Sequence, residues 1–321
     1  MKIAFVGKGG SGKSTLSSLF ILHSIALGKK VIALDADLNM HLDDILGVSF
    51  PENKKLSRPE LVNIIHTYLK GNNHRIIHSD QFLKSTPPGS GSNLIIARAD
   101  DQIIERYSVP FSGGQGRLLV VGSYESETIG TSCYHTNLAI AENLLLHMMV
   151  PANTVVVTDM AAGTDAFSGT LHAQFDLLVL VVEPSIEGVE VFRQYFALAQ
   201  SAGIAHQLVV VGNKIEDDED VKYLKEHVGR HYIGGLPMLK QVRRARQQGA
   251  LLSSADVPQN ELFAVIDACL NKAAVDPNKR LSYIWKLHRR HVKEPYIVSL
   301  FGEGLDKQID ENFRYPEMLL Q

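Results

Sequence analysis

The sequence predicts a doubly wound α/β fold with a mostly parallel sheet. Short apolar runs rich in β-branched residues recur along the chain, and helical stretches lie between several of them. Runs without polar alternation are typical of strands buried on both faces of a parallel sheet, and strand–helix alternation is typical of a doubly wound fold. The predicted strands span residues 3–6, 31–34, 118–121, 154–158, 177–182 and 208–211.

Helices are predicted between these strands and after the last of them. Three of the helices end where the sequence offers a stop signal, at Gly28, Pro151 or Gly203. Glycine is favoured just past a helix C-terminus, and proline cannot continue a helix. The predicted helices span residues 14–27, 59–69, 137–149, 188–202, 258–274 and 278–291.

Composition sets the class of protein. The chain has 321 residues, a net charge of −3 and 45% hydrophobic residues. This balance excludes a wholly disordered chain, and the slight acidity gives no clear nucleic-acid signal. Two cysteines exclude a disulfide scaffold and favour the reducing cytoplasm. No targeting segment and no run long enough for a membrane span is visible.

The chain divides into three regions by composition. Residues 1–250 carry the strand–helix alternation, with an insertion at about 50–116 on one edge or face of the sheet. The insertion contains the loop-like stretches STPPGSGS and SGGQG, which have a flexible composition. Residues 251–321 form a mainly helical C-terminal extension, with no strong period over the last thirty residues.

A phosphate-binding loop follows the first predicted strand and opens the first predicted helix. Residues 7–15 read GKGGSGKST and match the pattern G-x-x-x-x-G-K-[ST]. In such a loop the backbone N–H groups and the helix N-terminus surround phosphate oxygens. Lys13 is expected to reach the β- and γ-phosphates and Ser14 to bind Mg²⁺, so the predicted cofactors are ATP or ADP with Mg²⁺. The other predicted nucleotide-binding residues of the loop are Gly9, Gly10, Ser11, Gly12 and Thr15.

A second lysine, Lys8, indicates a particular class of phosphate-binding loop. The form K-G-G-x-G-K-S-T resembles the deviant Walker A motif of the ParA, MinD, nitrogenase-iron-protein and CooC group of P-loop NTPases. The resemblance implies that Lys8 reaches across an ATP-bridged homodimer to the partner's nucleotide and acts in catalysis with Lys13. A solvated loop lysine is the alternative for Lys8.

Two aspartates lie at predicted strand ends. The resemblance places Asp37 where the group has its water-orienting carboxylate, and Asp159 resembles a Walker B aspartate followed by the glycine hinge Gly163. Carboxylates at these positions can hold the Mg²⁺ shell and align water for attack. Asp37 is therefore predicted as a catalytic residue and, with Asp159, as a Mg²⁺ ligand. Capping or loop aspartates are the alternative.

Two segments are candidates for base recognition. The group uses an asparagine such as Asn213, here followed by Lys214, to hydrogen-bond adenine. Pro237 and Met238 resemble the loop that packs on the other side of the base. Asn213 could otherwise be an ordinary turn residue.

Within this group, residues 1–250 resemble the CooC-type accessory ATPases of carbon-monoxide dehydrogenase. The similar stretches include DADLNMHL, TDMAAG, LVLVVEPS and VVGNK. That family has a Cys-x-Cys pair that binds metal at the dimer axis, and here the same place reads Cys133-Tyr134-His135. Two copies of Cys133 and His135 would offer four ligands for Zn²⁺ or Ni²⁺. The alternative is a buried cysteine beside a surface histidine.

The predicted function is a Mg²⁺-dependent, ATP-hydrolysing homodimeric switch that assists metalloenzyme maturation through an unidentified client protein. The first alternative is a ParA- or MinD-type positioning ATPase, a scaffold on a partner, DNA or membrane. Arg243, Arg244 and Arg246 are interpreted as a solvated face rather than a nucleic-acid patch. The second alternative, electron transfer as in the nitrogenase iron protein, is disfavoured because only Cys133 is suitably placed.

Overall fold

The computed structural model describes residues 1–123, 134–259 and 261–316. An eight-stranded sheet with strand order β10-β9-β8-β1-β7-β2-β5-β4 forms its centre. A separate two-stranded sheet pairs β3 with β6. The strands are β1 (Lys2–Val6), β2 (Lys30–Ala36), β3 (Ile95–Ile96), β4 (Val109–Phe111), β5 (Gly116–Val120), β6 (Met148–Met149), β7 (Thr154–Met160), β8 (Leu177–Val182), β9 (Leu208–Ile215) and β10 (Tyr232–Pro237).

The predicted mostly parallel α/β fold is confirmed. Every pairing in the large sheet is parallel except that of β4 with β5. All residues of β1, β7 and β8 are buried, because helices cover both faces of the sheet. This double burial explains why these strands are continuous apolar runs in the sequence.

Eleven helices are described. Most begin or end within three residues of the predicted bounds where a helix was predicted. The helices are α1 (Lys13–Ala26), α2 (Leu42–Leu46), α3 (Pro59–Lys70), α4 (Gln102–Tyr107), α5 (Tyr134–Leu146), α6 (Ile186–Ser201), α7 (Asp218–Val228), α8 (Lys240–Gln247), α9 (Leu262–Ala273), α10 (Pro277–His291) and α11 (Pro295–Phe301). None of these helices is long and apolar enough to cross a membrane.

The insertion contributes to the sheet itself. Its strand β4 pairs antiparallel with β5 at the edge of the sheet. Proline has no backbone N–H to donate, so Pro110 is tolerated in an edge strand but would remove a hydrogen bond from a central one. Its other strand, β3, pairs with β6, a strand that the sequence analysis assigned to the end of a helix. Two residues are too short to show a period, so this difference could not be predicted.

The C-terminal helices pack on two different parts of the molecule. Phe263 and Ile266 of α9 join the same apolar core as α1, beside the large sheet. Leu281 and Trp285 of α10 instead pack with Met149 of β6, next to β3. The segment after α9 therefore covers the small sheet that the insertion builds.

Candidate nucleotide site

The site lies where the strand order reverses beside β1. Polar side chains follow the carboxyl ends of β2, β7 and β9, and the loop of residues 7–15, hereafter the P-loop, follows β1. In open α/β sheets ligands bind at such a switch point. The topology thus brings together segments that are more than 200 residues apart in the sequence.

Two positions of the P-loop require glycine because neighbouring strands lie too close for a side chain. Gly12 has φ +97°, and a Cβ there would lie 2.1 Å from Asn213 Nδ2. Gly7 has φ +147°, and a Cβ there would lie 2.6 Å from the Val181 carbonyl oxygen. Side chains at these positions would clash and would adopt a left-handed backbone that only glycine favours. The loop can therefore pass between β8 and β9 and turn into α1.

Lys13 is buried at the first position of α1. Its Nζ lies 3.8 Å from Asp37 Oδ2 and donates a hydrogen bond to the Lys8 carbonyl at 3.4 Å. The ammonium group therefore points at the strand ends, where phosphate oxygens would compete with Asp37 for it. The structure brings the predicted lysine and aspartate together.

A third aspartate, Asp35, fixes the loop that carries Asp37. Its buried carboxylate accepts backbone N–H bonds from Asp37 at 3.1 Å and from His41 and Leu42 at 2.9 Å each. Burial nevertheless raises the pKa of Asp35 to about 7, against the lowering effect of these bonds. Asp35 is a positioning residue that the sequence analysis did not single out, although its place two residues before Asp37 was a usable signal.

Asp159 is the ionisable group of the site that burial affects most. It is fully buried, and among the described residues neither carboxylate oxygen has a hydrogen-bond partner of normal geometry. Burial, and next the charge of its β2 neighbour Asp35, raise the pKa of Asp159 well above its usual value, while the nearby Ser14 hydroxyl lowers it. An unpaired buried carboxylate is costly unless a ligand or cation completes it.

The segment after β7 is tied to the P-loop. The Gly163 N–H donates to the Gly7 carbonyl at 3.1 Å. The hydroxyl of Tyr195, a fully buried residue of α6, donates to the Gly163 carbonyl at 2.6 Å. Movement of the P-loop would therefore be transmitted to Gly163 and to α6.

Asn213 and Lys214 contact the P-loop backbone. Asn213 Nδ2 donates to the Ser11 carbonyl at 2.7 Å, and Lys214 Nζ donates to the Gly10 carbonyl at 3.0 Å. Lys214 also pairs with Glu183 at 2.7 Å. Both residues brace the loop as well as lining the cavity above it.

An open cavity of about 730 Å³ lies above the P-loop, a volume suited to a nucleotide. Most of the predicted residues line it, but Lys8, Ser11, Asp159 and Pro237 do not. The predicted residues that line the cavity are Gly9, Gly10, Gly12, Lys13, Ser14, Thr15, Asp37, Asn213, Lys214 and Met238.

One side of the cavity is formed by α8. Arg243 and Arg246 line it, and Arg246 Nη1 donates to the Thr15 hydroxyl at 3.4 Å. All three arginines are exposed, as expected for a solvated face, and Arg243 and Arg246 also line the cavity, whereas Arg244 does not. The sequence offered a signal for their place beside the cavity, because α8 directly follows the predicted base-packing loop. Asn39 and His41 also line the cavity and were not predicted.

The predicted transition-metal pair lies outside what can be described. Cys133 falls in the gap between residues 123 and 134, and the His135 side chain is likewise outside the described residues. Within the described residues no group of three or more His, Cys, Asp or Glu side chains could hold a metal ion. Cys269 packs half-buried against the α9 core, and burial raises the pKa of its thiol.

Fold and site together define a P-loop nucleotide-binding protein. The sequence profile of the "CobQ/CobB/MinD/ParA nucleotide binding domain" matches residues 3–252. The chain belongs to this family and is an ATP-binding ATPase.

Two relatives resemble most of the chain. Carbon monoxide dehydrogenase accessory protein CooC of Rhodospirillum rubrum is 28% identical over 251 residues, which cover 78% of this chain and 88% of that protein. An uncharacterised ATP-binding protein of Methanocaldococcus jannaschii is 29% identical over 291 residues, which cover 89% of this chain and 98% of the relative.

Solved structures share the fold. The cell division ATPase MinD of Pyrococcus furiosus has a TM-score of 0.56 at 20% identity and covers 85% of this chain and 99% of its own. A ParA family ATPase of Chlorobium tepidum has a TM-score of 0.55 at 16% identity, with coverage of 84% and 98%.

Proposed function

We propose that this chain is a Mg²⁺-dependent, homodimeric ATP switch that acts in the cytoplasm and assists the maturation of a metalloenzyme. The observation that carries the chemistry is the pairing of Lys13 with Asp37 at the nucleotide cavity, with the buried carboxyl group of Asp159 close to Ser14 behind it. The observation that carries the biological role is the similarity to CooC over most of both chains.

The residues present fit a magnesium ion. Mg²⁺ takes oxygen ligands and keeps several waters, so it is usually held by one or two carboxylates and the substrate phosphates. Asp159, which lacks a partner, and the adjacent Ser14 hydroxyl supply suitable oxygens. Bound Mg²⁺ would neutralise phosphate charge, and it would remove the cost of the buried Asp159 carboxylate. A MinD of Pyrococcus horikoshii with the same fold is described as complexed with Mg-ADP.

Three groups of the chain have distinct roles in hydrolysis. The P-loop N–H groups and the α1 N-terminus hold the phosphates by fixed dipoles. Lys13 stabilises charge on the transferred phosphoryl group, since its ammonium is already directed to the strand ends. Asp37, held by the loop that Asp35 anchors, orients the attacking water.

The dimer is proposed from the surroundings of Lys8. Lys8 does not line its own nucleotide cavity. Its charge acts on Glu187 at the start of α6. The neighbouring Ile186 is 78% exposed, which is unusual for an isoleucine. A half-exposed lysine outside its own nucleotide cavity, near an exposed apolar side chain, suits a nucleotide-bridged interface between two copies of the chain.

Metal transfer is proposed to use Cys133 and His135 from each subunit. One subunit offers only two ligands, so closure of a four-ligand site for Zn²⁺ or Ni²⁺ requires the dimer. Metal binding would then depend on ATP, because the proposed dimer forms only when ATP is bound.

A metal titration tests this role. We expect the ATP-bound Asp37→Ala protein to take up one Zn²⁺ or Ni²⁺ per two chains and to release protons as thiolates form. The double variant Asp37→Ala, Cys133→Ser should lose this uptake, while Asp37→Ala, Cys269→Ser should keep it as the matched control. Equal uptake by all three proteins would contradict the maturation role and leave the ATPase unaffected.

The positioning role, of the kind suggested by the MinD and ParA family ATPases that share this fold, is the second candidate. Arg243, Arg244 and Arg246 of α8 are exposed, and two of them, Arg243 and Arg246, also line the nucleotide cavity. Retention of the ATP-bound Asp37→Ala protein on duplex DNA at 150 mM salt, about physiological ionic strength, would favour the positioning role.

A further inference from the structure

A second cavity lies away from the nucleotide site, against α10. It has a volume of about 540 Å³ and shares no lining residue with the nucleotide cavity. Four segments form its walls. They are residues 84–85 of the insertion, residues 167–172 after β7, residues 198–202 at the end of α6, and one face of α10 with the turn after it. We refer to it as the α10 cavity.

The lining of the α10 cavity is positively charged. Lys286 and Arg290 lie one turn apart on α10, and Lys84 lies opposite them. Only one carboxylate, that of Glu294, is among the lining residues. Among the described residues neither Lys286 nor Arg290 forms an ion pair, whereas Arg280 and Arg289 on the same helix do. The cavity therefore offers two cations that are not engaged in an ion pair with any described carboxylate.

Aromatic and aliphatic side chains form the rest of the wall. The rings of Phe167 and His172 stack with centroids 5.2 Å apart, and Tyr283 meets His172 edge-on at 6.1 Å. Leu198 and Leu287 also line the cavity. A planar apolar body can pack against this wall while an anionic group reaches Lys286 and Arg290.

A hydrogen-bonded chain holds one wall in a fixed form. His288 Nε2 donates to the Leu305 carbonyl at 3.1 Å, so its Nδ1 accepts from Ser85 Oγ at 2.9 Å. Ser85 Oγ in turn accepts from His291 Nδ1 at 2.8 Å, and His291 Nε2 accepts from the Tyr296 hydroxyl at 2.8 Å. Every member of the chain is satisfied with both histidines neutral, and burial lowers the pKa of each to about 4. These hydrogen bonds fix the side chains on this wall of the cavity.

We infer that the α10 cavity is a second ligand site, for a small-molecule anion that carries a phosphate, sulfonate or carboxylate group on a planar apolar body. Its volume falls in the range of small-molecule sites, and its walls come from four separate segments that form a concave surface. The site is distinct from the ATPase site, because the two cavities share no lining residue.

A fluorescent probe of this chemistry tests the inference. Anilinonaphthalene sulfonate joins an aromatic body to a sulfonate and fluoresces when it is bound in an apolar site. With excess Mg-ADP filling the nucleotide cavity, we expect saturable binding of one probe per chain. Phenyl phosphate should displace the probe at concentrations at least about tenfold below those at which phenol does, because only the phosphate reaches the cations.

Matched variants locate the probe. Lys286→Gln with Arg290→Gln should weaken binding about tenfold, since two charge contacts are lost. Lys279→Gln with Lys293→Gln makes the same charge change at exposed positions outside the cavity and should leave binding unchanged. Leu198→Trp should also weaken binding by filling the cavity without changing charge. Unchanged ADP affinity of each variant verifies that it is folded.

Three results would overturn the inference. They are the absence of saturable binding, equal affinity in the native protein and the Lys286→Gln, Arg290→Gln variant, and displacement of the probe by ADP.

Discussion

The nucleotide site and the region around α10 both bury ionisable side chains, but they satisfy them differently. At the nucleotide site Asp35 and Asp159 are neighbours across β2 and β7, and within the described residues the nearby Ser14 hydroxyl is the one group that favours the ionised form of Asp159 by hydrogen bonding. Around α10, His288 and His291 are neutral and fully hydrogen-bonded. A buried carboxyl group with few hydrogen-bond partners is typical of a site where a ligand or cation supplies the missing partner. A neutral network in which every group is hydrogen-bonded instead stabilises the fold without a ligand.

The largest expected effect comes from removing the charges that act on the phosphates. Lys13→Ala should lower the rate of ATP hydrolysis by at least about a thousandfold and weaken ATP binding, since the ammonium stabilises both ground and transition states. Asp37→Ala should lower the rate at least about a hundredfold and keep ATP bound. Phosphate release and nucleotide titration measure both quantities. Wild-type turnover in the Asp37→Ala protein would show that another group orients the water.

The parts of this site that the sequence predicts are those with a local signature. The P-loop, Asp37 and Asp159 each lie at the end of an apolar run, so their place at one sheet edge follows from the fold class. The place of Arg246 beside the cavity was not predicted: its contact with Thr15 joins positions 231 residues apart, and the one sequence signal was that α8 follows the predicted base-packing loop.

The same distinction holds for the fold. The long apolar strands were predicted because both faces are buried, while β3, β4 and β6 are too short to carry a period. Helix α11 was also not predicted, since its seven residues offer about two turns.

The histidine network should make the protein sensitive to acid. Because burial lowers the folded-state pKa of His288 to about 4, the unfolded chain binds more protons between pH 6.5 and 4. Stability should therefore be lost as the pH falls through this window, by about 3 kcal/mol for a shift of this size. His288→Gln should flatten the acid limb of a denaturant-unfolding series against pH. His206→Gln, at an exposed position, is the control and should follow the native curve.

The carboxylates of the nucleotide site should have the opposite effect. Burial raises the folded-state pKa of Asp35 to about 7 and that of Asp159 well above its usual value, so the native state holds extra protons above pH 4. Stability without nucleotide and Mg²⁺ should decline as the pH rises from about 4 to 7. Asp159→Asn should stabilise this state by about 1–3 kcal/mol at pH 8 and abolish the stabilisation given by Mg-ATP. Denaturant unfolding of the native protein and the variant at several pH values in a metal chelator measures these changes in stability. Destabilisation by Asp159→Asn would contradict the account in which the buried Asp159 carboxylate is costly until Mg²⁺ binds it.

The smallest expected effect concerns α8. Arg246→Ala should weaken nucleotide binding about three- to tenfold, because one partly exposed charge contact is lost. Arg244→Ala, on the same helix outside the cavity, should bind nucleotide as the native protein does. Equal affinities for the two variants would show that α8 faces the cavity without contacting the nucleotide.

The most direct test of the switch is the mass of the Asp37→Ala protein in sedimentation with ATP, with ADP and without nucleotide. We expect a dimer only with ATP, and we expect the double variant Lys8→Ala, Asp37→Ala to remain monomeric in all three conditions. The physical reason is that Lys8 would offset γ-phosphate charge that otherwise faces the interface. The same mass for the Asp37→Ala protein in all three conditions would contradict a nucleotide-switched dimer.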